Sequence, residues 1–179
     1  ILNFSLVSRY DSIKNHNNAI KLISILNNIE NLNFRFFFAG EHINYSNKNL
    51  VNLINKYNLQ EKIVLCGEVN DIYEFFYFIN FNFLFSKSES FPNVLAESML
   101  CGVPCITTNV GDAELILSNL GWFFNYKNEK DFLKCVLQAV NEFNSSELWN
   151  KKKLLCKKHI IQNFNTEVML NKYNSVWTI

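Results

Sequence analysis

The chain has 179 residues, 49% of them hydrophobic, five cysteines and a formal net charge of +1. Such a length suits one domain with a substantial core. The balanced charge gives no electrostatic case for nucleic acid or an acidic membrane surface, so any basic site must be local. Cys66, Cys101, Cys105, Cys135 and Cys156 are odd in number and irregularly spaced, which excludes a paired disulfide framework and a zinc pattern and reads as reduced thiols. No signal peptide is read at the start, so a cytoplasmic protein is expected. The aromatic run from Ile72 to Phe85 contains Glu74, Asn80 and Asn82 and falls short of the roughly 20 apolar residues of a membrane span. Asparagine supplies roughly one residue in six, far above ordinary usage, a bias that suits codon drift better than function.

In chain order, Leu2 to Val7 reads as a strand. Ile13, Ala19, Ile20, Ile23, Leu26 and Ile29 keep helical spacing. Phe34 to Ala39 is a strand ended by Gly40, and Asn47 to Tyr57 a helix. Ile63 to Cys66 is a strand stopped by Gly67, Asp71 to Ile79 a short helix, and Phe83 to Phe85 another strand. A helix within Glu89-Ser-Phe-Pro-Asn-Val-Leu-Ala-Glu97 ends near Gly102, with Pro104 barring its continuation. Cys105 to Thr107 and Trp122 to Phe124 are further strands. Helices over Lys130 to Glu142, Ser146 to Phe164 and Glu167 to Trp177 close the chain. Short apolar strands alternating with amphipathic helices predict an α/β, Rossmann-like three-layer sandwich with a mostly parallel sheet. One domain over 1–179 is expected, with tail helices from about 146.

Ligands of such sheets sit beyond the carboxyl ends of the strands. After the first strand come Arg9 and Lys14, two cations that suit a phosphate or pyrophosphate, or equally stand as solvated surface charges. After the strand at Phe85, Ser88 or Ser90 can cap the next helix and Pro92 suits its first turn. The amides near Phe91, Pro92, Asn93 and Val94 would then face the crevice as a backbone anion site. Glu97 lies one turn past Asn93, and Glu89 sits in the loop before the helix. A carboxylate accepts two or more hydrogen bonds and suits a diol, so a nucleotide sugar fits this layout; a dipole-stabilising Glu89 and a solvated Glu97 fit it equally. With glycines only at 40, 67, 102, 111 and 121, neither a dinucleotide fingerprint nor a P-loop is present. The histidines are scattered, no GxSxG elbow exists, and no ligand cluster predicts a metal.

The stretch from Ser86 through Ile116, SKSESFPNVLAESMLCGVPCITTNVGDAELI, resembles the donor-site signature of glycosyltransferase family 4: Glu, seven residues, Glu, then Met-x-x-Gly-x-Pro. Ser8 to His16, SRYDSIKNH, resembles the family's Arg-Tyr-Asp-x-x-Lys-Asn-His segment. The resemblance implies the C-terminal, donor-binding half of a GT-B enzyme, with the N-terminal acceptor domain absent and the tail helices left with nothing to cross to. It implies that Arg9 and Lys14 bind the donor diphosphate and stabilise the leaving group, that Glu89 binds the transferred sugar, and that Glu97 binds the ribose. The main chain at Phe91 to Val94 would touch sugar or phosphates, and that at Gly67, Glu68 and Val69 would read the base. The expected activity is retaining transfer from a nucleotide-diphosphate sugar to a glycan or lipid-linked acceptor, in surface polysaccharide assembly. No metal or other cofactor and no nucleic acid partner is expected. Peripheral membrane association belongs to the full enzyme, and the isolated half is expected to be inactive. A non-catalytic nucleotide-sugar-binding subunit is the alternative, against which the four intact charged positions argue. A sugar-nucleotide epimerase would explain the fold but not the paired glutamates. The family often has a second glycine where His42 stands here.

Overall fold

The computed structural model describes residues 1–177. Its centre is a six-stranded sheet, β1 (Leu2–Val7), β2 (Phe34–Ala39), β3 (Ile63–Gly67), β4 (Phe81–Leu84), β5 (Cys105–Thr108) and β6 (Trp122–Phe124). The strands run in the order β3-β2-β1-β4-β5-β6, and every pairing is parallel. Helices α1 (His16–Ile25), α2 (Lys48–Lys56), α3 (Ile72–Tyr77), α4 (Asn93–Leu100), α5 (Ala113–Leu117), α6 (Glu129–Asn144), α7 (Ser146–Asn163) and α8 (Thr166–Trp177) fill the remainder, with a 3₁₀ turn at Leu26–Asn28. This is the expected Rossmann-like three-layer domain.

Strand alternation assigns the faces. Phe4, Leu6, Phe36, Phe38, Phe81, Phe83 and Ile106 point to the face covered by α1, α2 and α6, where they meet Ile20, Leu50, Phe132 and Val136. The opposite face carries Ala39, Leu84 and Cys105, covered by α3, α4, α5 and part of α7. Phenylalanines bind the first layer together: Phe4 meets Phe34, Phe36, Phe81 and Phe83 at ring-centroid separations of 5.0 to 5.9 Å. Edge and tilted contacts of this kind add about 0.5–1.5 kcal/mol each beyond burial.

Four elements differ from expectation, each for a local reason. Helix α1 starts at His16 rather than near Ile13, because Asn15 takes a left-handed backbone (φ 61°) just before it. Strand β4 begins at Phe81. Asn82 does not break it, because its Oδ1 accepts from the buried Ser5 hydroxyl at 2.8 Å. Neither Ser88 nor Ser90 caps α4, which begins after Pro92 with no side-chain cap. Helix α5 was not anticipated. Asp71 does cap α3, accepting from the backbone N–H groups of Tyr73 and Glu74.

The tail forms the two expected helices. Helix α7 packs Cys156 and Ile160 into the same cluster as Leu95 and Met99 of α4. The ring of Phe164, at the α7–α8 junction, meets Phe91 at 5.9 Å. The tail therefore braces α4 and the loop before it.

Candidate functional site

In the order β3-β2-β1-β4-β5-β6 the connections reverse direction between β1 and β4. The two loops that leave these strands diverge there and open a crevice at the carboxyl edge. One loop carries Arg9 and Lys14; the other carries Glu89.

The structure brings Lys14 and Glu89 into direct contact, Nζ to Oε1 at 2.6 Å. The same Oε1 accepts from the Ser86 hydroxyl at 2.6 Å. Both side chains are largely shielded, at 21% and 12% exposure, so the pair gains more than a surface ion pair does. Neither bond uses Oε2 of Glu89. Two further bonds clamp the loops: the Asn15 side-chain amide donates to the Phe85 carbonyl at 3.1 Å, and the Lys87 N–H donates to the Ile13 carbonyl at 2.8 Å.

Arg9 stands apart from this pair. It is 62% exposed and lies 3.6 Å from Asp11. Asp11 is held below the usual carboxylate range, first by the N–H of Ile13 and then by Arg9. The guanidinium can therefore swing while its backbone stays fixed. Ser8 N–H donates to Ala39 at 2.9 Å, and Tyr10 N–H to Glu41 at 2.8 Å. Gly40, at φ 137°, lets the chain pass so close that a Cβ there would fall 2.3 Å from the Ser8 carbonyl oxygen. Beneath Arg9, the Ser8 hydroxyl meets His16 Nε2 at 3.2 Å. Burial pushes the His16 imidazole down to about 4, so it is neutral at physiological pH.

The second loop is shaped from below by Gly111. A Cβ at this residue would lie 2.3 Å from the Ser90 carbonyl oxygen and 2.4 Å from that of Glu89, and its φ of 52° also disfavours a side chain. Asp112 N–H donates to the Ser90 carbonyl at 3.0 Å and Thr108 Oγ1 to the Ser86 carbonyl at 2.7 Å. Pro92 is buried and Val94 half-buried, while Phe91 and Asn93 are exposed. The Asn93 N–H turns back to the Phe91 carbonyl at 2.9 Å. That amide is spent locally, contrary to the expectation for the helix start.

Glu97 is exposed one turn along α4. Among the described residues it makes no hydrogen bond or ion pair with Lys14 or Glu89. It lines a concavity of about 610 Å³ with Phe91 and Asn93, shared on the other side by Phe164, Lys172 and Tyr173 of the tail. Partial burial raises its carboxyl above the ordinary value. Gly67 (φ 71°) ends β3 with open space where a side chain would stand, and Val69 packs toward Phe75 and Phe76. The Gly67 N–H donates to the Ile43 carbonyl at 2.8 Å and its carbonyl accepts from the Gly40 N–H at 2.7 Å, so the main-chain polar groups of Gly67 are engaged within the fold.

Sequence reading missed Ser86, Asn15, Gly111 and Phe164. Gly111 carried a signal, a glycine in the loop after a strand, and Ser86 stands only three positions before Glu89; Asn15 and Phe164 reach the site only through contacts distant in sequence. All five cysteines are free thiols, and burial pushes Cys105, Cys135 and Cys156 up to about 12. Among the described residues, no three His, Cys, Asp or Glu side chains gather closely enough to hold a metal ion.

The family profile described as "Glycosyl transferases group 1" matches residues 4–154. The chain belongs to this glycosyltransferase family. The N-acetyl-alpha-D-glucosaminyl L-malate synthase of Bacillus anthracis is 23% identical over 130 residues, covering 72% of this chain and 33% of that protein. A glycosyltransferase from Rickettsia africae superposes with a TM-score of 0.85 at 21% identity, over 99% of this chain and 47% of the other. HepE from Anabaena, solved with UDP and glucose, superposes at 0.81 with 15% identity, over 99% and 48%. The superposed structures share the GT-B fold, within which the chain looks like a C-terminal domain. It spans between a third and just under half the length of these relatives.

Proposed function

We propose that this chain is the donor-binding domain of a retaining glycosyltransferase that uses a nucleotide-diphosphate sugar. The observation that carries the reading is the Lys14–Glu89 contact at the β1/β4 switch point. It joins a phosphate-binding cation and a hydroxyl-binding carboxylate in one crevice. The solved complex of HepE with UDP and glucose supports a nucleotide sugar as the class of ligand.

In this reading the donor diphosphate lies between Arg9 and Lys14. The ammonium has three donors, so Lys14 can keep Glu89 and still meet a phosphate oxygen. Arg9 closes onto the diphosphate from its exposed position. As the bond from sugar to phosphate breaks, negative charge grows on the leaving phosphate, and the two cations stabilise it more than they stabilise the ground state. Oε2 of Glu89 takes a sugar hydroxyl, oriented by Ser86 and Lys14 on Oε1. Glu97 takes the ribose diol, and the main chain at Gly67 to Val69 flanks the base. The acceptor is a glycan or lipid-linked glycan, met by a part of the enzyme outside this chain.

Two variants test this division of labour by calorimetry. Glu97→Ala should weaken free nucleoside diphosphate about tenfold, the loss of a charge-assisted hydrogen bond. Glu89→Ala should spare free nucleotide while weakening the nucleotide sugar by a similar factor. Equal loss of free nucleotide in both variants would contradict the assignment.

A further inference from the structure

An asparagine at the start of a helix ordinarily caps it, its side-chain oxygen accepting from one of the first N–H groups. Asn15 stands immediately before α1, and its carbonyl accepts from the Asn18 N–H at 3.1 Å and the Ala19 N–H at 3.0 Å. Its side chain nevertheless makes no cap bond. The amide crosses instead to the other loop of the crevice and donates to the Phe85 carbonyl at 3.1 Å. Asn15 is only 6% exposed, so water competes little for that bond.

The backbone of Asn15 lies at φ 61° and ψ 35°, in the left-handed region that asparagine shares with glycine. Glycine would serve that turn as well and would lose no cap, since none is made. What glycine lacks is the amide. Five residues thereby form one closed circuit. Lys14 Nζ meets Glu89 Oε1 at 2.6 Å, and the Ser86 hydroxyl donates to the same oxygen at 2.6 Å. Ser86 directly follows Phe85 in the chain, and the Phe85 carbonyl leads back to Asn15, the neighbour of Lys14.

We propose that Asn15 is a positioning residue of the crevice. By tying its own loop to the peptide that leads into Ser86, it holds Lys14 and Glu89 in register. Glu89 Oε2 then faces a sugar hydroxyl while Lys14 faces the diphosphate. The consequence for ligands rests on the donor-site reading; the effect on the Lys14–Glu89 contact does not. Asn18 offers a comparison within the same helix. Its amide donates to the Tyr126 carbonyl at 2.8 Å, a bond of the same kind to a segment that carries neither Lys14 nor Glu89.

A double-mutant cycle of Lys14→Met and Glu89→Gln in denaturant unfolding, run in the wild type, in Asn15→Gly and in Asn18→Ala, tests the proposal. Glycine suits the left-handed backbone, so Asn15→Gly removes the amide and keeps the turn; a cooperative melt confirms that each variant is folded. The coupling, about fivefold in the unfolding equilibrium of the wild type, should fall below about twofold in Asn15→Gly and stay near fivefold in Asn18→Ala. A merely structural bond would lower stability in both variants and leave the coupling alone. Calorimetry with UDP and UDP-glucose gives the second readout. Asn15→Gly should weaken UDP-glucose about tenfold. It should weaken UDP less, because the flexible stem of Lys14 still reaches a phosphate while Glu89 has lost its orientation. Asn18→Ala should leave both affinities unchanged. Coupling unchanged by Asn15→Gly, coupling lowered equally by Asn18→Ala, or equal weakening of UDP-glucose by the two variants would each overturn the proposal. The coupling is measured without ligand, so failure of the chain to bind either probe would count against the donor-site reading and not against the role of Asn15.

Discussion

His16 and the Lys14–Glu89 pair govern the crevice at the scale of single residues. His16 is buried against Tyr10 and Phe38, and desolvation holds its folded-state value near 4, against 6.5 for an ordinary histidine; Lys14 adds to the lowering and Asp11 opposes it. Between those values the unfolded chain binds a proton that the folded chain does not. Stability from this residue is therefore complete above the ordinary value and is lost as pH falls toward 4, by up to about 3 kcal/mol. Denaturant midpoints of the wild type should drop between pH 7 and 4.5, and His16→Gln should flatten that slope. Parallel slopes in the two proteins would contradict the burial argument.

Lys14 and Glu89 make a second prediction at this scale. They are shielded but not sealed, so a double-mutant cycle of Lys14→Met and Glu89→Gln should return a coupling of about 1 kcal/mol in unfolding experiments. A coupling near zero would mean that the contact is no stronger than a surface pair. The sequence alone brought both residues to strand ends. It held no sign that they touch, because they lie 75 positions apart and the crevice exists only once β1 and β4 pair. A separation of 70 positions hid Asn15, whose amide reaches the Phe85 carbonyl, whereas Ser86 lies only three positions before the glutamate its hydroxyl meets, a contact set by the loop's conformation rather than by sequence distance.

At the scale of elements, strands were more legible than helix starts. Phe34 to Ala39 announces itself by apolar continuity, and β1 and β2 match the expected bounds. The beginnings of α1 and α4 depend on backbone at Asn15 and Pro92 that periodicity does not report. Helix α5 has only five residues, too short for a periodic signal. It nevertheless delivers Gly111 and Asp112 beneath the glutamate loop. Gly111→Ala should push that loop by forcing its carbonyls away from the new Cβ, with a cost of about 1–3 kcal/mol for the strained backbone alone. It should lower both the melting temperature and the affinity for a nucleotide sugar. Affinity unchanged beside a lowered melting temperature would show that the loop's position is irrelevant to binding.

For the whole molecule, fold class followed from the alternation of short apolar strands with amphipathic helices, and the order of strands did not. That order is what makes β1 and β4 the switch point, and it places the crevice between the two loops whose motifs resemble the family. The family is shown by a match over residues 4–154. The roles proposed for Arg9, Lys14, Glu89 and Glu97 await test; the structure itself joins only Lys14 and Glu89 in the crevice. The tail helices were legible as helices, but α7 closes over α4 and Phe164 meets Phe91, contacts that local spacing could not disclose.

The central claim is that this crevice binds the diphosphate of a nucleotide. Calorimetric titration of the chain with UDP, GDP and ADP, repeated on Arg9→Ala and Lys14→Ala, tests it most directly. The account predicts saturable binding of at least one nucleotide, weakened about tenfold or more in each variant. No saturable binding to any of the three, or binding indifferent to both substitutions, would contradict it.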